Sequence, residues 1–544
     1  MQRSRKSAIA FASYILIAAI SYCGVVAINT YVSTLTHATI FYSLLLLNGY
    51  TAATITYRLF LSPYAAFPGP KLAGATYWYT FYYDAIKGGQ YMYQIEKLHM
   101  KYGPVLRISP NELHIIDADF YDVLFSQSRR NKAPTWSQAF GNPDSIFGTI
   151  DHHQHRIRRA PLNPYFSKGS IRTLEPLIRE DISRLVSVFR DYQKTKEPVP
   201  LKAAFAALTS DIVTQFCFMM QSDYIEADGF NVMVLKAGEG ATDALHVVLQ
   251  FPWLVSLLKL LPDSMMARML GPGIGLLQDF QRHLEQQIRD ILGSRDDYRV
   301  DVKHKTIFHD ILNSNLPEQD KSAKRLSEEA QTIVSAGTVT TATSLSGAFV
   351  YLLLDPPRLH TLMQELEKAF PEISKPPTHA QLENLPYLTA VIQETLRLGS
   401  GVSFRLTRTA PDKTLQCGDY VIPPNINMST HAPLIHNNPS LFPSPSTFNP
   451  ERWLPGGSAN PKYLIPYSRG SRQCLGMHLA SAELYMTIAT ILRTFVRTEV
   501  GDDGAIIVKG MSLWETDRRD VDMIADIGLP RCERGRGNVR VLLG

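Results

Sequence analysis

Residues 466–476 read Pro-Tyr-Ser-Arg-Gly-Ser-Arg-Gln-Cys-Leu-Gly, and this stretch is the most informative in the chain. Glycines and polar side chains surround a single cysteine, Cys474. Directly after it, apolar residues recur at positions 475, 479, 482, 486 and 489, a spacing that predicts a buried helix from Leu475 to Phe495. Cys474 therefore lies at a loop-to-helix junction, where free N–H groups and positive potential favour a thiolate that can bind a metal.

Two other interpretations fit this loop taken alone. A buried, unreactive cysteine is a common feature of folded proteins. His478 lies four residues after Cys474 and could share a zinc ion with it. The sequence offers no second pair of ligands at a spacing typical of zinc modules, which disfavours the zinc site.

The loop resembles the haem-binding signature of the cytochrome P450 family, Phe-x-x-Gly-x-Arg-x-Cys-x-Gly. It matches that signature at Gly470, Arg472, Cys474 and Gly476 and departs from it at Tyr467, which replaces the phenylalanine. The resemblance implies that Cys474 is the axial thiolate ligand of a haem b iron and that Arg472 contacts a haem propionate. Tyr467 is expected to pack near the sulfur, where its hydroxyl would shift the iron's potential slightly.

Two further motifs match the family at the expected interval. Residues 394–397 read Glu-Thr-Leu-Arg, and residues 448–453 read Phe-Asn-Pro-Glu-Arg-Trp. An i,i+3 pair on a helix is, by itself, usually a surface salt bridge worth less than about 1 kcal/mol. The resemblance instead implies that Glu394, Arg397 and Arg452 form a structural triad that holds the cysteine loop.

Residues 336–341, Ala-Gly-Thr-Val-Thr-Thr, lie in a long helix. The sequence predicts that this helix runs from Ser327, as its N-cap, to Asp355, which precedes two prolines. A glycine inside a helix costs about 1 kcal/mol relative to alanine. Gly337 therefore indicates a close approach to a cofactor or to bound oxygen, unless the segment is simply a buried helix with a Ser/Thr-rich face.

The same segment resembles the family's oxygen-activation motif, in which an acidic residue precedes a threonine. Thr340 matches that threonine, whose hydroxyl assists oxygen binding and proton delivery. Val339 occupies the acidic position, and valine cannot carry protons, which puts the usual proton relay in doubt. The expectation for Val339→Glu is that haem binding remains intact.

Basic residues in two other segments match the family's propionate contacts. His155 and Arg159 share a helix face at i,i+4 spacing, and the resemblance implies that both touch a haem propionate. Arg408 aligns best with a further propionate arginine, and Arg405 is the nearby alternative. Together with Arg472, these cations would match the negative charge of the haem.

The N-terminal segment differs in composition from the rest of the chain. No Asp, Glu, Lys or Arg occurs from Ser7 to Tyr57, which leaves room for two bilayer-spanning helices of about 20 residues each. We predict an anchor over residues 1–60 with transmembrane helices at about 8–28 and 39–57; a single pass and a cleaved signal peptide are the alternatives. The basic residues at positions 3, 5 and 6 should remain cytosolic, so two passes leave residues 61–544 facing the cytosol.

The remainder of the chain reads as one large domain, mainly α with minor β (α+β), which is also the fold that the resemblance implies. Short strands are predicted at 105–108 and 112–116 and near 414–422, and helical patterns dominate elsewhere. The net charge of +5, without a polybasic tract, disfavours nucleic-acid binding. Five widely spaced cysteines without a Cys-x-x-Cys pair disfavour a disulfide framework.

The resemblance implies a haem-dependent monooxygenase that oxidises a lipophilic small molecule with O₂ at the endoplasmic reticulum membrane. Electrons from NADPH would arrive through an NADPH–cytochrome reductase, with cytochrome b5 as a further candidate donor. Arg156 and Arg158 are candidate contacts for an acidic reductase surface. Segments 67–72 and 101–105 are most similar to fungal members of the trichodiene-oxygenase-like group, which indicates a terpenoid or polyketide intermediate of secondary metabolism.

The substrate pocket is predicted to be apolar, with walls from residues 140–150, from Ala336 and Thr340, and from Val402 with Phe404. Val339 keeps a second enzyme class open, a haem-thiolate isomerase or dehydratase that needs no reductase. A non-catalytic membrane haem sensor or carrier is a third interpretation. Thr340 and the full set of haem contacts argue against it.

Overall fold

The computed structural model describes residues 19–21, 35–137, 140–219, 222–230, 233–258, 265, 272–293, 306–399, 401–533 and 535–544. The first predicted transmembrane helix, at 8–28, therefore lies outside the described residues except for 19–21.

Helices dominate the described chain, as the apolar periodicity predicts. Their bounds are α1 Leu35–Thr56, α2 Lys71–Ala75, α3 Trp78–Phe81, α4 Tyr91–Tyr102, α5 Phe120–Leu124, α6 His152–Arg159, α7 Lys168–Thr195, α8 Leu201–Phe218, α9 Met233–Gln250, α10 Pro252–Leu258, α11 Pro272–Gly293, α12 Ile307–Asn313, α13 Ala323–Leu353, α14 Pro356–Ala369, α15 His379–Leu382, α16 Pro386–Gly399, α17 Ala432–His436 and α18 Met477–Phe495.

Short strands form small sheets around the helices. Their bounds are β1 Val105–Ser109, β2 Glu112–Ile115, β3 Asn131–Lys132, β4 Val199–Pro200, β5 Leu406–Thr409, β6 Leu415–Cys417, β7 Tyr420–Ile422, β8 Asn427–Thr430, β9 Arg497–Val500, β10 Ile506–Lys509, β11 Met511–Leu513, β12 Ala525–Asp526, β13 Pro530–Arg531 and β14 Arg540–Leu543. The largest sheet has the order β1-β2-β8-β5-β3, in which only β2 and β8 run parallel. The predicted mainly α fold with minor β is confirmed.

The long helix α13 crosses the main hydrophobic core and packs against α8, α11 and α18. Its N-cap is Ser322, whose side chain accepts a hydrogen bond from the Arg325 N–H, so the predicted start at Ser327 was wrong. The charged residues before Ser327 resemble a surface segment outside the helix. Arg325 instead lies inside the helix, where it forms a buried ion pair with Glu329.

Gly337 permits close contact between helices. A Cβ atom at Gly337 would lie 3.1 Å from Cγ2 of Val213 on α8. The glycine therefore serves helix packing, and its role in the approach of a cofactor or oxygen stays a prediction. The alternative of a buried helix is the one that the packing supports.

Helix α1 contains most of the second predicted transmembrane segment, 39–57. It carries no charged side chain and exposes large apolar ones, including Ile40, Leu44, Leu46 and Tyr50. Among the described helices, α13 alone is both long and apolar enough to cross a membrane by length and composition, and 72% of its most apolar window is buried within the domain.

Candidate active site

Cys474 lies in a constrained loop immediately before α18. Its N–H donates to the carbonyl of Tyr467 at 2.9 Å, which closes the loop around the sulfur. Gly470 has φ +73°, and a Cβ there would lie 1.9 Å from the Phe125 carbonyl oxygen, so only glycine fits. Gly476 is the N-cap of α18, and a Cβ on it would meet no atom within 4 Å. The backbone thus leaves one face of the cysteine open.

The thiol of Cys474 is accessible, unlike that of Cys217 or Cys417, which are buried. The surrounding protein nevertheless raises its pKa through burial, which the Gly476 N–H and the Arg159 guanidinium partly oppose. A bound metal cation would favour the thiolate, because it stabilises the deprotonated sulfur.

Four basic side chains from three elements lie close together beside this loop and are called the cation cluster: His155 and Arg159 on α6, Arg408 on β5 and Arg472 in the loop itself. Burial, followed by the charges of Arg472 and Arg159, lowers the pKa of His155 to about 2. Burial and the charge of Arg408 lower the pKa of Arg472 to about 9, and burial lowers that of Arg408 to about 10. Among the residues that the structure describes, no carboxylate forms an ion pair with Arg159, Arg408 or Arg472.

This group of side chains fits a haem. The Nε of Arg472 and the Nδ1 of His155 are buried without a hydrogen-bond partner, although the Arg472 terminal nitrogens donate to the carbonyls of Thr149 and Ile150, both at 2.7 Å. Unpaired buried donors and uncompensated positive charge call for an anionic ligand such as a pair of propionates. The accessible thiol of Cys474 would be the ligand for the iron.

Lys132 belongs to the same cluster, and the sequence analysis missed it. It pairs with Arg408 across strands β3 and β5, and its ammonium lies 3.5 Å from the centre of the Phe147 ring. Burial and the charges of Arg408 and Arg472 hold its pKa well below the usual value. No local motif marks this lysine, because only the strand pairing brings it to the cluster.

The ion pairs in the structure bear on the predicted roles of two arginines, Arg405 and Arg158. Arg405, the alternative to Arg408, forms ion pairs with Asp84 and Glu112 and lies outside the cation cluster. Arg158 is buried and pairs with Asp320 at 2.7 Å, so the expectation that it faces a reductase was wrong. An i,i+3 position relative to His155 places Arg158 on the inner side of the short helix α6.

Glu394, Arg397 and Arg452 meet in a fully buried cluster. Arg397 donates to both carboxylate oxygens of Glu394 at 2.9 and 2.8 Å, and Arg452 donates to Oε1 at 3.1 Å. The indole N–H of Trp453 and the backbone N–H of Asn449 also donate to Glu394, at 2.8 and 3.0 Å.

A hydrogen-bonded route connects this triad to the cysteine loop. Arg397 donates to the carbonyl of His436 at 2.8 Å. The Nε2 of His436 accepts the N–H of Ile465 at 3.0 Å, one residue before the loop that contains Cys474 begins. The triad can therefore act on the position of the cysteine through the buried His436.

Thr340 and Val339 occupy different environments on α13. Thr340 is partly accessible, and its hydroxyl donates to the carbonyl of Ala336 at 2.8 Å, which leaves its oxygen lone pairs free to accept a proton. Val339 is 8% exposed and its Cγ2 would lie 3.4 Å from a Cβ on Gly238 of α9. A cavity of about 280 Å³ runs along this part of α13, lined by both residues and by Ile527 and Leu529.

Val339→Glu is expected to retain haem but to lower thermal stability. Burying a carboxyl against α9 costs on the order of 1–3 kcal/mol unless it finds a partner. Haem retention is expected because the Val339 side chain lies against Gly238 of α9. Haem content and the unfolding midpoint measured on the same preparation check this, with Val339→Ile as the control for added volume. Loss of haem at a temperature where the protein stays folded would contradict it.

Only some of the residues predicted to line the substrate pocket pack together in the structure. Phe404 is buried in an apolar cluster with Ala133 and Leu245, against which Phe140 and Phe147 pack. Val402 is 38% exposed. Segment 140–149 is held to the first turns of α13, since the N–H of Asp144 and of Ile146 donate to Glu328 and Glu329.

Comparisons with a family model and with individual known proteins agree on the family of this chain. The family model described as Cytochrome P450 matches residues 68–514. The chain is 41% identical to the cytochrome P450 monooxygenase tpcC of Cochliobolus heterostrophus, over 89% of this chain and 93% of that protein. It is 38% identical to the tryptophan 6-hydroxylase fscE of Fusarium equiseti, over 89% and 93%, and 38% identical to the conidiogenone synthase PchP450 of Penicillium rubens, over 82% and 90%. The resemblance to fungal members is confirmed.

Proposed function

Because this chain belongs to the cytochrome P450 family, as a monooxygenase of the fungal secondary-metabolism type, we propose that it oxidises a lipophilic intermediate, a terpenoid, polyketide or aromatic amino-acid derivative. The observation that carries this proposal is the accessible Cys474 thiol beside a cation cluster without carboxylate partners. A haem-thiolate, when bound, supplies the activation of O₂ that inserts one oxygen atom into a C–H bond.

The chain's own residues have separate tasks in this proposal. Cys474 would hold the iron, and His155, Arg159, Arg408, Arg472 and Lys132 would hold the propionates. The Thr340 hydroxyl donates to the Ala336 carbonyl; once rotated away from that carbonyl, it would pass on its own proton while its oxygen accepts another from water. The apolar cluster around Phe404 excludes water from the reacting carbon and selects substrates by shape.

Membrane attachment and electron supply complete the proposal. The uncharged helix α1 and the charge-free residues 7–34 before it suit an endoplasmic reticulum anchor, and the basic residues at positions 3, 5 and 6 favour a catalytic domain in the cytosol. Arg156 is exposed on α6, next to the cation cluster, and suits an acidic NADPH–cytochrome reductase or cytochrome b5.

NADPH together with the reductase is expected to produce the same carbon monoxide difference spectrum as dithionite in membranes that contain this protein. This measurement tests electron transfer without knowledge of the substrate. Omission of the reductase is the control. A signal with dithionite but none with NADPH and reductase would instead favour a reductase-independent isomerase or dehydratase, the alternative that the apolar Val339 supports.

A further inference from the structure

A second cavity, of about 310 Å³, lies between α3, the C-terminal end of α9 and strand β5. Apolar side chains form part of its wall, including Phe81, Leu249 and Phe404. Phe404 also belongs to the apolar cluster assigned above to the substrate pocket. The rest of the wall contains ionisable groups: Asp84, Glu112, His246 and Arg405.

Arg405 neutralises one carboxylate of this wall. It lies 3.3 Å from Oδ2 of Asp84 and 3.3 Å from Oε1 of Glu112. Glu112 receives a further hydrogen bond from the Thr407 hydroxyl at 3.0 Å. One cation therefore faces two carboxylates: Arg405 donates a hydrogen bond to Oδ2 of Asp84, and Glu112 accepts one from Thr407.

Asp526, behind this wall, accepts hydrogen bonds from the Ser403 hydroxyl at 2.7 Å and from the Gly528 N–H at 3.0 Å, and a chain of buried histidines leads towards it. The Nδ1 of His99 contacts the Gly103 carbonyl at 2.7 Å, its Nε2 contacts His114 at 2.7 Å, and His114 contacts His431 at 2.8 Å. The far nitrogen of His431 lies 3.6 Å from Asp526. Three neutral imidazoles supply the three protons that these three hydrogen bonds need, and burial lowers the pKa of each ring. The histidine chain therefore adds no positive charge to the wall.

His246 does not satisfy Asp84. Its Nε2 contacts the main-chain carbonyl of Asp526 at 2.6 Å and must donate there, so a neutral ring presents a lone pair at Nδ1. That Nδ1 lies 3.9 Å from Oδ2 of Asp84, beyond hydrogen-bond distance. The other oxygen of Asp84, Oδ1, has no hydrogen-bond partner among the described residues, although Asp84 is only 4% exposed.

We propose that this cavity is a subsite for a protonated amine on the substrate, with Asp84 as its counter-ion. The inference rests on the proposed function and specifies its substrate class as a lipophilic amine. An ammonium group supplies both the missing positive charge and the missing N–H donor, and the apolar wall accepts the hydrocarbon next to it. Burial raises the pKa of the Asp84 carboxyl, and a bound cation would lower it again.

The test compares 3-phenylpropylamine, 3-phenylpropanol and 4-phenylbutanoate by equilibrium dialysis against the full-length holoprotein in lipid nanodiscs. The protein is reduced and saturated with carbon monoxide, so that the amine cannot bind iron, and the pH is 8, where an ordinary imidazole is neutral. The amine is expected to bind at least about tenfold more tightly than the alcohol, the size expected for a charged hydrogen bond. Equal affinities, or a carboxylate that binds as well as the amine, would overturn the proposal.

Asp84→Asn is expected to remove the preference for the amine. Asp119→Asn, which removes an exposed carboxylate paired with Lys462 at the surface, is the matched control and should keep it. A preference that survives in Asp84→Asn would also overturn the proposal. The carbon monoxide spectrum of each preparation reports whether haem is bound, which separates failure of this subsite from failure of the haem assignment. If Asp84→Asn lacks haem, the comparison of ligands on the unaltered protein decides.

Discussion

Replacing Cys474 with serine is expected to abolish the strongly red-shifted Soret band of the reduced carbon monoxide complex. A serine hydroxyl is a harder and much less acidic ligand than a thiol, so it cannot supply the electron-rich sulfur that causes this shift. Monooxygenase activity should fall below detection for the same reason. The measurement is the difference spectrum of membranes that contain equal amounts of each protein.

Cys532→Ser is the matched control for this substitution. Cys532 is a partly exposed free thiol near the C-terminus, and its loss should leave the band unchanged. Retention of the red-shifted band in Cys474→Ser would refute the ligand assignment. A variant that binds haem with an unshifted band would support it most directly, because the cation cluster would still hold the propionates.

The sequence predicts best those features that are encoded within one short segment. The loop around Cys474, the helix after it and the triad of Glu394, Arg397 and Arg452 follow from motifs of a few residues at fixed spacing. The strands β1 and β2 follow from alternating apolar residues around a turn at 109–111. In each case the residues that decide the structure are neighbours in the chain.

Features that depend on tertiary contacts could not be predicted. Lys132 reaches the cation cluster only because β3 pairs with β5. Gly337 faces Val213 on a helix more than 100 residues away in sequence. Arg158 could be distinguished from the exposed Arg156 only with its partner Asp320 in view. The amine subsite likewise joins Asp84, Glu112 and Arg405, which no spacing rule connects.

Glu394→Ala is expected to lower the free energy of unfolding by about 3–5 kcal/mol, because it leaves buried charges without a partner. Arg397 is fully buried and Arg452 is 3% exposed, and both donate to this carboxylate. Since domains of this kind are stable by only about 5–15 kcal/mol, the loss is a large part of the total. The measurement is the unfolding of the helical core, followed by circular dichroism.

Glu499→Ala is the control for Glu394→Ala, since Glu499 pairs with Lys509 on an exposed strand where both side chains are more than half accessible. Its cost should stay below about 1 kcal/mol.

The route from Arg397 through His436 to Ile465 adds a second expectation for Glu394→Ala. Because the cysteine loop depends on that route, its thiolate ligation should fail before the helical core unfolds. The red-shifted signal should therefore disappear at a lower temperature than the helical circular dichroism. Simultaneous loss of both signals would mean that the triad stabilises the domain as a whole and does not specifically position Cys474.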